Sequence, residues 1–312
     1  MTSIHSMKLQ QAGKRISKDF RLNKGLYLLV IPVVAYYILF HYVPMYGITI
    51  AFKNFSPGLG ILGSEWAGFE HFNDFFHNAY FSRILRNTLI ISLSSLVFLF
   101  PLPIIFALLL NEVKRRHFAK VVQTISYMPH FISLVVICGI VIDFTNRNGI
   151  ISNLLVFFGF EPINLLSEPQ YFVPIYVISD IWQEMGFSAV IYIAALAGVD
   201  MEIYEAARID GAGHWKQTVH VTIPSIAPTI IILFILRLGS VMNVGFEKIL
   251  LLYNDRVLET ADVISTYVYR KGLQEFNFSY SAAVGLFNSM VNIFLLVIAN
   301  RVSKKVTEIS LW

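Results

Sequence analysis

Charge is scarce in this chain. Asp, Glu, Lys and Arg make up 14% of its 312 residues, against 56% for the apolar and aromatic types, and the mean hydropathy is +0.63. Soluble domains are about a quarter charged, so the composition excludes one and reads as an integral membrane protein. Cysteine is scarcer still: Cys138 stands alone, inside an apolar run. That excludes an intrachain disulfide and a multi-cysteine metal site. The Gly-x-x-x-x-Gly-Lys-Ser/Thr loop that cradles nucleotide phosphates is missing, so the chain does not bind ATP by that route. His-Glu-x-x-His and Gly-x-Ser-x-Gly are missing too, and the eight histidines are scattered. No catalytic residue, resident metal or nucleic-acid partner is expected. Internal repeats, linkers and low-complexity tracts are also absent.

What is present is a series of apolar runs of about 20 residues or more. That is the length a helix needs to cross hydrocarbon, and it exceeds the ten-residue alternation of a barrel. Six spans are expected, at about 25–51, 87–110, 121–144, 173–199, 223–247 and 281–299. Pro32 and Pro44 predict a kink or a broken end in the first. The arm Met1–Lys24 carries Lys8, Lys14, Arg15, Lys18, Arg21 and Lys24 against Asp19. The run behind it is too long for a signal sequence and lacks a small-residue cleavage site. The arm, the turn holding Lys114, Arg115, Arg116 and Lys120, the loop after span 4 and the end holding Arg301, Lys304 and Lys305 together contain 15 of the 24 Lys and Arg. The positive-inside rule therefore puts both termini and the span 4–5 loop in the cytoplasm. The expected organisation is an arm at 1–24 and one six-helix domain at 25–312.

The span 4–5 loop belongs to a polar island, Asp200 to Pro228, between two apolar runs. Glu202, Glu205 and Asp210 suit the positive end of a helix, and Ala206 and Ala207 are strong helix formers. Gly211 and Gly213 stop or bend it. Trp215 and Val219, four apart, share a face of a second short segment. Pro224 then suits the first turn of the next span. Read physically, this is an amphipathic connector made of helix, glycine turn and helix.

The island also resembles the EAA loop of ABC-importer permease subunits, over about 200–223. That pattern is Glu-Ala-Ala, three residues, Gly and, some way on, Ile-x-Leu-Pro. Here it reads Glu205-Ala206-Ala207, Asp210-Gly211-Ala212 and Val221-Thr222-Ile223-Pro224, with Ile in place of Leu before the proline. The resemblance implies that Glu205, Ala206, Ala207, Asp210, Gly211, Ala212, Trp215 and Pro224 serve docking to a cytoplasmic ATPase. A Gly68-x-x-His71-Phe72 segment, where relatives usually have Asn-Phe, together with Asn87-Thr88 and Tyr127-Met128-Pro129, is similar to the maltose-type sugar permeases, particularly their oligosaccharide and polysaccharide branch. The likeness covers most of residues 20 to 310. It implies an all-α fold of six transmembrane helices, the type I importer permease fold, in a bacterial or archaeal inner membrane. It implies as partners a second permease subunit, two ATPase subunits that bind ATP and Mg, and an extracytoplasmic solute-binding protein.

Polar groups inside hydrocarbon are costly, so they face an interior or a partner. Span 4 carries Asp180, Trp182, Gln183, Glu184 and Phe187; span 5 is expected to carry Arg237, Asn243 and Glu247. Glu184 and Arg237 each lie on the order of 20 Å from the inner ends of their spans. They either form an ion pair locking two spans or line a translocation pathway. In relatives the solute contacts fall largely on these spans, which points to Trp182, Gln183, Phe187 and Asn243. An aromatic face with amide donors suits a sugar ring, and Arg237 suits a carboxylate on an acidic saccharide. The rival readings are a permease for amino acids, peptides or metal, a secondary transporter, and an intramembrane enzyme built on Asp180 and Glu184. A secondary transporter would show repeats or coupling-ion ligands.

Overall fold

The computed structural model describes residues 22–312, so the basic arm up to Arg21 lies outside the described residues. The chain divides after Gly68 into two compact units. In the first, one helical length of 29 residues runs from Lys24 to Phe52 and is apolar enough to cross a membrane. Pro32 sits inside its regular part, Lys24–Tyr37. A wider π turn, Ile38–Tyr42, precedes Pro44. Proline has no N–H and crowds the carbonyl four residues back, and the wider turn absorbs both faults. A small hairpin follows, pairing Lys53 with Trp66 and Asn54 with Glu65. Lys53 Nζ closes it by donating to the carbonyls of Ile61 (2.7 Å) and Ser64 (3.3 Å).

The second unit begins with the amphipathic helix Glu70–His77. Its Phe75 is fully buried, edge-on to Phe81 at 5.0 Å and to Phe287 at 5.5 Å. Phe81–Asn111 forms the next span, with Phe100-Pro101 as a joint between Phe81–Leu99 and Pro101–Asn111. Asn87 and Thr88 lie near its start. Asn87 Nδ2 donates to the carbonyls of Glu259 (2.8 Å) and Asp262 (3.0 Å), and Thr88 Oγ1 accepts from the Ile264 amide (3.0 Å). These bonds tie the span to the segment before the last helix. Beside them the buried Asp262 carboxylate receives Arg270 at 2.7 Å and Arg83 at 3.5 Å. Burial alone would lower the Arg270 pKa, but the hydrogen bond and charge of Asp262 outweigh it and hold it above the usual guanidinium value.

Two expected boundaries are corrected. The third span is not one helix over 121–144. An amphipathic helix, Arg116–Tyr127, leads into a 3-10 turn, Met128–Phe131, and a new helix starts at Leu134. Pro129 cannot continue the ladder, and Ser133 caps the new helix by accepting from the Val136 amide. The apolar length that can cross is Leu134–Phe157. The fifth span runs from His214 to Leu238 and stops at Gly239, so Asn243 and Glu247 lie beyond it. A short helix, Phe246–Leu252, carries Glu247.

The sixth candidate crossing is the long helix Pro169–Ala197 taken with Met201–Ile209, to which it is bent by 70°. The last helix, Phe278–Thr307, extends through Arg301, Lys304 and Lys305. The long helix sits at the centre of the packing. Ala189, Tyr192 and Leu196 on it meet Ala107 and Ile226, and Phe172, Tyr176 and Val177 meet Cys138, Ile249 and Val257. Small residues let the backbones close in, as membrane helices require. A Cβ on Gly186 would stand 2.1 Å from the Ser126 carbonyl oxygen.

Candidate solute cavity and docking loop

One face of the long helix opens on a cavity of about 730 Å³, a volume suited to a small ligand. Tyr176, Asp180, Gln183, Glu184, Ser188, Ile191 and Tyr192 recur every three or four residues and line it. The facing walls are Phe100 and Pro103, Leu233 and Arg237, and the turn from Asn243 to Lys248. The structure therefore brings Gln183, Glu184, Arg237 and Asn243 together around one space. Trp182, two residues on from Asp180, is turned about 200° away on the helix and does not line it; it is 45% exposed. Phe187 does not line it either, because its ring stacks flat on His130 at 3.9 Å.

Glu184 and Arg237 do not pair. Glu184 Oε2 meets His130 Nδ1 at 3.0 Å, while Arg237 enters no ion pair among the described residues and is exposed. Asn243 Oδ1 is already used, accepting from Asn288 (2.9 Å) and Asn292 (3.1 Å), so its amide hydrogens are what it can offer. Lys248 and Tyr176 are among the lining residues that escaped the sequence reading. Lys248, only 3% exposed, donates to Asp180 at 2.5 Å and lies 5.2 Å from the centre of the Tyr176 ring. Tyr176 in turn accepts from the Gly245 amide at 3.2 Å, which fixes the turn. The signal for Lys248 was a lone cation in Phe246–Leu252, amid Ile249, Leu250, Leu251 and Leu252. Among the described residues no cluster of three His, Cys, Asp or Glu could hold a metal.

The loop at the far end of the long helix has its own logic. Asp200 caps Met201–Ile209 by accepting from the Glu202 amide at 3.0 Å. The helix ends in a Schellman turn: Gly211 adopts φ +76°, its amide bonds to Arg208, and the Ala212 amide bonds to Ala207. The second helix begins at His214, capped by Gly213, and does not stop. It passes through a π turn, Thr218–Thr222, straight into the span, with Pro224 one turn on. The separate short helix expected before the membrane is thus the first part of span 5. Gln217 Nε2 donates to the Ala212 carbonyl (2.6 Å) and the Tyr204 hydroxyl meets Thr222 Oγ1 (2.9 Å), bracing the two arms. Glu205, Ala206, Asp210 and Gly211 are exposed, as are Ile209 at 87% and Trp215 at 79%.

Several apolar crossings, a polar cavity inside them and a braced loop with bare apolar tips define a transport subunit. The chain belongs to the binding-protein-dependent transport system inner membrane component family, whose pattern matches residues 99–308. It is 45% identical over 300 residues to the polygalacturonan/rhamnogalacturonan transport system permease protein YteP of Bacillus subtilis (strain 168), covering 96% of this chain and 94% of that one. It is 46% identical to protein LplB of the same organism, covering 94% and 93%. Among solved structures, it resembles one from a bacterial ABC transporter involved in import of the acidic polysaccharide alginate: TM-score 0.87, 41% identity, 94% of this chain and 99% of that one. A second, of a bacterial alginate ABC transporter in complex with an alginate pentasaccharide-bound periplasmic protein, gives TM-score 0.88 and 40% identity over 95% and 100%. The chain is accordingly a multi-pass membrane permease.

Proposed function

We infer that this chain forms half of the translocation pathway of an ATP-driven importer for a saccharide that carries carboxylates. The solutes named for its relatives, polygalacturonan, rhamnogalacturonan and alginate, support this reading. The observation that carries it is Arg237. Lys248 is neutralised by Asp180 and Glu184 is engaged by His130, which leaves Arg237 as an exposed cation on the cavity wall. A guanidinium pairs with a carboxylate through two parallel hydrogen bonds, and it stays charged at any working pH. Gln183, Ser188 and Glu247 supply partners for hydroxyls, and Phe100, Pro103, Ile191 and Leu233 supply the apolar wall that a ring face suits.

In this reading a second permease subunit completes the pathway. An extracytoplasmic solute-binding protein delivers the saccharide. Two cytoplasmic ATPase subunits hold ATP and Mg and supply the work. Both termini and the Met201–Thr222 loop face the cytoplasm, in keeping with the Lys and Arg distribution. The bare Ile209 and Trp215 support docking of that loop on an ATPase. The test is uptake by membranes carrying the complete importer. Arg237→Gln should cut uptake of a uronic-acid oligosaccharide about ten-fold or more and leave a neutral oligosaccharide of equal length within about two-fold. Equal loss for both would remove the carboxylate role.

A further inference from the structure

The turn that precedes the third crossing, Leu134–Phe157, does more than end a helix. Pro129 stops the Arg116–Tyr127 helix at Met128–Phe131, and that turn carries His130. The turn lies deep along the long helix. Gly186, which the Ser126 backbone touches, is about 16 Å along the axis from Ala197. At this depth His130 is held from two directions. Its ring lies flat on Phe187, 3.9 Å between centres and 5° between planes, and Phe131 meets Phe187 edge-on at 5.6 Å. Its Nδ1 is 3.0 Å from Glu184 Oε2, the one ion-pair partner that carboxylate has among the described residues. Glu184 lines the cavity and His130 does not.

We propose that His130 is a positioning residue for the transported solute: it holds one oxygen of Glu184 so that the other faces the cavity as an acceptor for a saccharide hydroxyl. This rests on the cavity being the solute pathway. The chemistry needs only a donor at Nδ1, which neutral and protonated imidazole both provide in the appropriate tautomer. The Phe187 stack removes ring rotation, so the carboxylate is ordered before solute arrives, and a preordered acceptor binds with less entropy lost. A proline stop frees backbone groups ahead of the crossing Leu134–Phe157, and that is tolerated where the freed segment packs against protein. Here that stop is what brings a ring nitrogen to Glu184.

The test uses the complete importer in proteoliposomes at saturating, oligosaccharide-loaded binding protein, measuring uptake and ATP hydrolysis together. His130→Ala should lower uptake per ATP about ten-fold, with binding-protein-stimulated hydrolysis within about two-fold. His130→Asn, whose amide nitrogen falls near the Nδ1 position, should recover at least half of the lost ratio. Glu184→Ala should match His130→Ala, and the double variant should be no worse than either. Parallel loss of uptake and hydrolysis in both His130 variants would make the residue merely structural and overturn the proposal. An effect of Glu184→Ala with none from His130→Ala would overturn it while leaving the cavity reading in place. No effect from Glu184→Ala would overturn the proposal and count against the cavity as the pathway.

Discussion

At the scale of single residues, the cavity is governed by which charges are already answered. Lys248 and Asp180 are both largely buried and meet each other. Removing one partner of such a pair strands the other charge and costs about 3–5 kcal/mol, whereas replacing both is often neutral. Lys248→Met should therefore lower the thermal unfolding midpoint of the purified complex clearly, and Asp180→Asn/Lys248→Met should recover most of it. Equal midpoints for the two variants would show that the pair carries no buried charge. Gln183, Glu184, Arg237 and Asn243 were legible in the sequence because polar groups in or beside apolar runs must face something other than lipid. Trp182, to which the likeness to relatives points, lies off the cavity lining because two positions from Asp180 amount to about a half-turn of the helix. Lys248 was missed because it follows the last residues of a run and passes for a loop cation, and His130 because a histidine after Met128-Pro129 carries no pattern of its own.

Helices and turns follow a different rule, since hydropathy reports that a run is apolar and not whether its backbone is continuous. The six runs were readable, but the stop at Gly239 and the break at Pro129 were not. Each needs a neighbour to satisfy or cover the freed backbone, and the neighbour is distant in sequence. The Schellman turn at Gly211 was legible, because only glycine reaches φ +76° without strain. The unbroken passage from His214 into span 5 was not, since a π turn ahead of Pro224 leaves no composition signal. Close packing of the Arg116–Tyr127 helix on the long helix depends on Gly186. Gly186→Ala should cost about 1–3 kcal/mol through overpacking. Gly198→Ala, whose new carbon would meet Ala195 at an ordinary 3.5 Å, should stay within about 0.5 kcal/mol. Denaturation of the two variants side by side decides the matter; similar losses would mean that the close contact at Ser126 is not what holds the helix.

For the molecule as a whole, cavity and loop sit on one element. The long helix carries the lining face from Tyr176 to Tyr192 and, past the 70° bend, the Met201–Ile209 helix. Gln217 and Tyr204 brace that helix to the start of span 5, which carries Arg237 on its last turn. In the proposed mechanism a push on the loop would reach one wall through the unbroken helical length His214–Leu238 and the other across the bend at Gly198–Asp200. The account stands on that push coming from another polypeptide on the cytoplasmic side. The direct measurement is site-specific cross-linking in intact membranes, with a single cysteine at Ile209 or Trp215 and Cys138 replaced by Ala. If the loop docks on the motor, an adduct forms with an ATPase subunit and an impermeant thiol reagent added outside gives no labelling. Labelling from outside, or a cysteine that joins no other chain, would contradict it.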